Sequence, residues 1–266
     1  MSHTQGILAA QDVSKLTRES SIELFKQIGG LIRNGQIYLG RSYYALSLAH
    51  GVQQAIHCGY QKIVAIELGV ASGAGLLDLC QAAHVFREVF KMDIQVYGLD
   101  GTFGLPAVED YRDHPELWTK GLYTMPDPKQ LRSKLPAFAE LIIGDVGDTV
   151  KSLEEKIGDA KIGFVSIDLD YYSSTKRAMP LFAFKDPEKY LPAVPVYVDD
   201  IEQLITLNEW CGEAAAIKEF NAAHTYRKID SKPYFNIPRF HVCHVLDHPI
   251  RQGKIKPPIP LSLYPF

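Results

Sequence analysis

From Lys62 onward, short apolar bursts alternate with longer stretches in which apolar positions recur every three or four residues. The bursts are KIVAIEL, IQVYGLD, LIIGD, IGFVSID, PVYVDD and FHVCHVL, and the intervening stretches include LLDLCQAAHVFREVF and KSLEEKI. A short run that is apolar on both faces describes a doubly buried strand. Helical periodicity between such runs describes a parallel sheet covered on both sides. Before Lys62 the pattern is helical, in SSIELFKQIGGLI and in SYYALSLAHGVQQAIHCG, where Tyr44, Leu48, Val52 and Ile56 share a face. After Asp200 the chain predicts a helix over IEQLITLNEWCGEAAAIKEFNAA and then a closing strand pair. The tail GKIKPPIPLSLYPF carries four prolines and reads as extended. The expected division is a helical cap over 1–60, a main domain over 61–250 and a tail over 251–266.

In open parallel sheets, ligands bind beyond the carboxyl ends of the strands, where strand order reverses. The residues that end each burst therefore matter most. In IVAIELGVASGAG, Glu67 stands at a strand end and Gly69, Gly73 and Gly75 precede a helix. Glycine lets the backbone turn sharply and lets a ligand approach where a Cβ would intrude. The spacing is not a P-loop, because residues 74–76 are Ala, Gly and Leu, and it is not GxGxxG. An acid with glycines but no phosphate cradle suits a ligand with a cationic amino-acid end and a nucleoside end. S-adenosylmethionine has both. Asp100 ends the next strand, where a carboxylate accepts two hydrogen bonds from ribose hydroxyls. Asp145 ends the third, where it either meets an adenine edge or caps a helix expected from Thr149.

Two further bursts end in acid: SIDLDYYSST at Asp168 and Asp170, and VPVYVDD at Asp199 and Asp200. A lone DxD reads equally as a solvated strand end, with Ser173 or Ser174 capping the next helix. A second acidic strand end beside it changes the balance. Four carboxylates in one crevice raise each other's pKa, and such clustering is costly unless a cation offsets it. Oxygen-only donors favour a hard ion, Mg²⁺ before Ca²⁺ or Mn²⁺. Three aspartates then hold the metal, and the fourth takes a proton from a substrate hydroxyl acidified by the ion.

Over residues 63–200 these motifs resemble the metal-dependent sugar O-methyltransferases of the macrocin and mycinamicin type, within the class I S-adenosylmethionine-dependent methyltransferases. Glu67, Gly69, Val70 and Gly73 match the first motif of that family, and Asp100 with Gly104-Leu105-Pro106 matches the second. Gly144 with Asp148-Thr149, the run Asp168, Asp170, Tyr172, Ser174, Thr175, and the pair Asp199–Asp200 complete the match. The resemblance implies a Rossmann-like class I methyltransferase fold, with a seven-stranded, mostly parallel sheet whose last strand is reversed. It assigns Asp168, Asp199 and Asp200 to Mg²⁺ and Asp170 to the general base. Glu67, Gly69, Val70, Gly73, Gly75, Asp100, Gly144 and Asp145 fall to the cofactor. Departures include LPAVPVYVDD where that family has Pro-Gly-Gly, Ser166 where Arg is frequent, and Pro180, which should kink the helix after the DxD.

Composition narrows the partners. A chain of 266 residues suits one large domain or a domain with an added terminal piece. A net charge of −3 without a basic tract gives no electrostatic surface for nucleic acid or anionic membrane. Cys58, Cys80, Cys211 and Cys243 are scattered, which suits reduced thiols in a cytoplasm. Neither a leader pattern nor an apolar run of about 20 residues is visible. The expected partner is a small-molecule acceptor, and the default assembly is a homodimer. Tyr172 either stacks on that acceptor or packs on the sheet. Tyr38, Arg41 and Tyr43 either form a lid or pack as an ordinary helix, and His114 and Trp118 either line the acceptor pocket or support the long connection after Asp100. His224, His241, His244 and His248 lack metal spacing and read as structural. Two rival functions share these motifs: a glycosyltransferase chelating metal through DxD, and a non-catalytic nucleoside-binding protein.

Overall fold

The computed structural model describes residues 9–261, so the outermost ends of the expected cap and tail lie outside the described residues. Seven strands form one sheet: β1 (Lys62–Leu68), β2 (Asp93–Asp100), β3 (Ala139–Ile143), β4 (Lys161–Ile167), β5 (Ala193–Val198), β6 (Arg227–Ser231) and β7 (Phe240–Val245). Their order is β3-β2-β1-β4-β5-β7-β6. The first five are parallel, and β7 runs antiparallel to both β5 and β6. This is the seven-stranded, mostly parallel, Rossmann-like sheet with a reversed last strand expected from the sequence. β1, β4 and β5 are buried along almost their whole length, which is why their sequences are apolar without alternation.

Seven helices complete the fold: α1 (Arg18–Arg33), α2 (Ser42–Cys58), α3 (Ala74–Phe90), α4 (Pro128–Lys134), α5 (Val146–Lys156), α6 (Tyr172–Ala178) and α7 (Gly212–Ala223). α2 is buried on every side from Tyr44 to Cys58 and packs on β1, β4 and β5, with α1 laid against it. Its apolar content is therefore not a single stripe. The contact is close because two glycines meet. A Cβ on Gly51 would lie 2.1 Å from the carbonyl oxygen of Gly163 in β4.

Four expectations need correction. The helix expected over residues 201–223 begins only at Gly212, with turns before it. Asn208 Oδ1 accepts from Trp210 N, a local turn that competes with helix, and Gly212 has φ +57°. The helix after the DxD carries no serine cap: Tyr171 holds the N-cap position without a side-chain bond. Pro180 stops α6 rather than kinking it: the helix ends at Ala178 and the proline sits in a 3₁₀ turn (Met179–Phe182). The tail is not simply extended. Residues 249–255 form turns, and Ile259 then packs against the end of α2, donating from its N–H to His57 O at 3.1 Å.

Strand order turns back between β1 and β4, so the carboxyl ends of β1, β2, β4 and β5 open on one crevice. Gly51→Ala tests the packing that fixes this arrangement. Alanine is the better helix former, yet here its methyl meets backbone. The substitution should destabilise the protein by about 1–3 kcal/mol in urea denaturation. A stabilised variant would show that α2 does not pack as described.

Candidate functional site

The crevice is a cleft of about 920 Å³ whose walls include Glu67, Gly69, Val70, Gly75, Asp100, Gly144, Asp145, Asp168, Asp170, Asp199 and Asp200. Every sequence-selected site residue except Gly73 lines it. Gly73 instead turns the chain into α3 at φ +92°, with Leu131 packed where a Cβ would be.

Glu67 lies at the floor of the cleft and is almost wholly buried. Its Oε1 accepts from the Tyr44 hydroxyl at 3.1 Å, which in turn accepts from Ser166 Oγ at 2.6 Å. Its Oε2 has no hydrogen-bond partner. Burial first, and the Asp168 charge second, push the Glu67 carboxyl well above the usual range. The two nearby glycines are sterically required. A Cβ on Gly75 would stand 2.0 Å from Glu67 Oε1, and one on Gly69, at φ +84°, 1.7 Å from the Asp168 carbonyl.

Asp100 and Asp145 reach the cleft but already hold other bonds. Asp100 Oδ2 accepts from Val70 N at 2.8 Å and Ala71 N at 2.9 Å, and Oδ1 from Thr102 N at 2.5 Å. The carboxylate thus ties the glycine-containing loop to the end of β2. Asp145 caps α5 through Gly147 N at 2.8 Å, and that helix starts at Val146, earlier than the expected Thr149. It also faces Arg177 Nη1 at 3.9 Å.

At the other end, one carboxylate oxygen from each of Asp168, Asp199 and Asp200 lies within 4.8 Å of the others. Asp168 faces Arg41 Nη1 at 3.9 Å, and Asp199 accepts from Arg239 Nη1 at 2.5 Å. Asp200 Oδ1 accepts from Gln203 Nε2 at 2.7 Å; its buried Oδ2 meets no amide, hydroxyl or cationic donor, and the protonated Asp170 carboxyl bonds Asp200. Asp170 is buried beside them with φ +58°, a left-handed backbone that non-glycine residues seldom adopt. Burial and then the neighbouring aspartates push Asp168 up to about 7, Asp170 to about 9 and Asp200 to about 6.

Two buried acids outside the sequence-selected set hold this arrangement. Glu213, at the start of α7, accepts from Leu169 N at 2.8 Å and Asp200 N at 3.1 Å, stapling the ends of β4 and β5 together. Asp113, in the connection after β2, accepts from Ser173 N at 2.8 Å and Ser173 Oγ at 3.0 Å. It supplies the α6 cap from 60 residues away and docks that connection over the cleft. Trp118 lines the cleft, whereas His114 lies behind it, with Nδ1 2.7 Å from Glu116 Oε1. Tyr172 packs against α7 and bonds Arg112, Lys176 and Glu219, away from the cleft. Of the supposed lid residues only Arg41 reaches it, since Tyr38 is exposed and Tyr43 stacks on Tyr197. Arg239 and Glu213 carry no local sequence signal, and both come from the region after β5. The described cysteines are all free, and no described helix is long and apolar enough to cross a membrane.

No protein-family model matches the chain, and no curated protein matches it significantly. Solved structures do share its fold. A calicheamicin methyltransferase superposes with a TM-score of 0.55 at 18 % identity, over 88 % of this chain and 97 % of that one. The O-methyltransferase NovP gives 0.51 at 18 % identity, over 77 % of this chain and 79 % of that one.

The aspartate cluster makes stability depend on pH. Above about pH 7 the folded chain keeps a proton on Asp170 that an unfolded aspartate, with a pKa near 3.8, has already lost. Burial lowers the pKa values of His50, His57, His241, His244 and His248, so the loss of their unfolded-state protons near pH 6.5 gives the opposite slope, which has faded by about pH 8. In chelator, stability should fall between about pH 8 and pH 9 by of order 1 kcal/mol per pH unit. Asp170→Asn should flatten the slope. A wild-type unfolding midpoint that stays level or rises over that window would contradict the cluster's protonation.

Proposed function

We propose that this protein is an S-adenosylmethionine-dependent O-methyltransferase acting on a hydroxyl of a sugar or another small polyhydroxylated metabolite. One observation carries the reading: a single cleft joins the buried Glu67, whose Oε2 has no hydrogen-bond donor, to the four-aspartate cluster. The calicheamicin methyltransferase and NovP, which share the fold, are themselves methyltransferases, which agrees with it.

The residues fit the cofactor at its charged end. Glu67 Oε2 is a buried acceptor without a donor, and an ammonium group supplies the hydrogen bond it lacks and adds to the positive charge that Arg41 already brings near it. Gly69 and Gly75 leave the floor open beside it. Asp100 and Asp145, at the next two strand ends, give polar walls for a ribose and a base. S-adenosylmethionine supplies a methyl group already activated by its sulfonium. The protein's task is to align an acceptor oxygen with that methyl and to remove the oxygen's proton.

The acidic end fits a hard divalent cation. Its donors are oxygens only and they converge within 4.8 Å of one another. Asp168, Asp199 and Asp200 would hold the ion, which supplies Lewis acidity at the acceptor hydroxyl. Asp170 takes the hydroxyl proton. With a cation among its neighbours, the repulsion that keeps Asp170 protonated is offset, and it becomes a competent base. Trp118 and the exposed Tyr123, both on the connection after β2, face the same cleft and offer aromatic surface for the acceptor. The buried Glu67 acid beside glycines favours this reading over a glycosyltransferase that would use the DxD alone, and the convergent aspartates favour it over a purely binding protein.

Calorimetric titration with S-adenosylmethionine should give a binding isotherm, and a UDP-sugar should give none. Asp170→Asn should lower methyl transfer by about 10²–10⁴-fold and leave cofactor binding intact. Glu67→Gln should weaken cofactor binding about tenfold or more, because a charged pair becomes a neutral one. Binding of the UDP-sugar alone would replace this reading with the glycosyltransferase one.

A further inference from the structure

Asp199 is the most heavily bonded of the three candidate metal ligands. Its Oδ1 accepts from the Tyr197 hydroxyl at 2.5 Å and from Arg239 Nη1 at 2.5 Å, and its Oδ2 from Gln203 Nε2 at 3.3 Å. The same Arg239 nitrogen donates to the Asp199 carbonyl at 2.9 Å and to Gln203 Oε1 at 2.8 Å. Arg239 is itself firmly placed. It precedes β7 with φ +56°, and its carbonyl accepts from Val198 N at 3.2 Å. Its guanidinium lies 5.2 Å from the centre of the Tyr197 ring. By contrast, Asp200 accepts from the neutral Gln203 amide and pairs with Asp170, and Asp168 faces its arginine only at 3.9 Å.

We propose that Arg239 is a resident counter-ion of the acidic site, a positioning residue that holds Asp199 and competes with a divalent cation for it. The inference rests on the metal reading given above. A fixed positive charge against one ligand repels a second cation nearby and occupies an oxygen the ion would use. Arg239 therefore keeps cation affinity low and fixes the inner face of Asp199, leaving Asp168, Asp200 and the outer oxygen of Asp199 to the ion. It comes from the antiparallel end of the sheet, so that end contributes directly to the site's electrostatics.

The test is Mn²⁺ affinity of the purified full chain without cofactor or acceptor, read by calorimetry and by the free-ion magnetic resonance signal. Arg239→Gln should bind Mn²⁺ about tenfold more tightly than the wild type. Arg239→Lys keeps the charge and should stay near the wild type. Arg239→Met carries the same expectation as the glutamine variant if that one fails to fold, and thermal melts report folding in each case. Should both neutral variants match the wild type, or bind more weakly because Asp199 has lost its support, the counter-ion role is wrong while the metal site stands. If neither wild type nor variants take up Mn²⁺, the metal reading falls and this inference falls with it.

Discussion

Four aspartates confined to one cleft repel one another, and much of the structure around them exists to hold them in place. Folding brings their backbone positions together because β4 and β5 are parallel neighbours that end at the same edge. That juxtaposition is costly in a half-buried crevice, since each charge loses water and meets three others. The observed compensation is distributed. Arg41 approaches from the start of α2, Arg239 from the start of β7, and protons held on the most crowded carboxyls remove part of the remaining charge.

Backbone rather than side chain fixes the strand ends themselves. Glu213 accepts one N–H from each of the two acidic loops, so α7 works as a buried staple across β4 and β5. Asp113 does the same for the connection after β2, by capping α6. Asp100 ties the glycine-containing loop to β2 through Val70 and Ala71. In each case a carboxylate satisfies backbone donors that would otherwise be buried and unpaired. A site assembled this way is rigid before any ligand arrives, which suits a reaction limited by alignment.

The two ends of the cleft differ in what they lack. At Glu67 an acid is buried with one oxygen empty, while at Asp200 the neighbouring acid Asp170 is the carboxyl that bonds it. Unsatisfied buried acceptors are rare in folded proteins because each costs the free energy of a lost hydrogen bond. An open acceptor at Glu67 and crowded carboxyls at the other end give one cleft that attracts positive charge. Under the proposed function, the glycines beside Glu67 mark its cofactor end and the aromatic side chains near Asp170 its acceptor end.

How much of this was legible in the chain depends on the range of the interactions. Burst length and helical period gave the parallel sheet, because strands buried on both faces must be apolar throughout. Glu67, Asp100, Asp168, Asp170, Asp199 and Asp200 were found because each breaks an apolar run at a strand end, a local feature. The helix over 201–223 was overextended because Gly212's left-handed backbone and the Asn208 turn are not visible in periodicity. Ser173 proved to receive a cap rather than give one, since its partner Asp113 is 60 residues away. Arg239 and Glu213 could not be found at all: an arginine before a strand or a glutamate opening a helix is ordinary until the sheet closes. Sequence alone therefore determined which residues end the strands, through the short-range demands of burial. Only the tertiary structure decided which charges face them, because pairing across a cleft is set by strand order and helix docking.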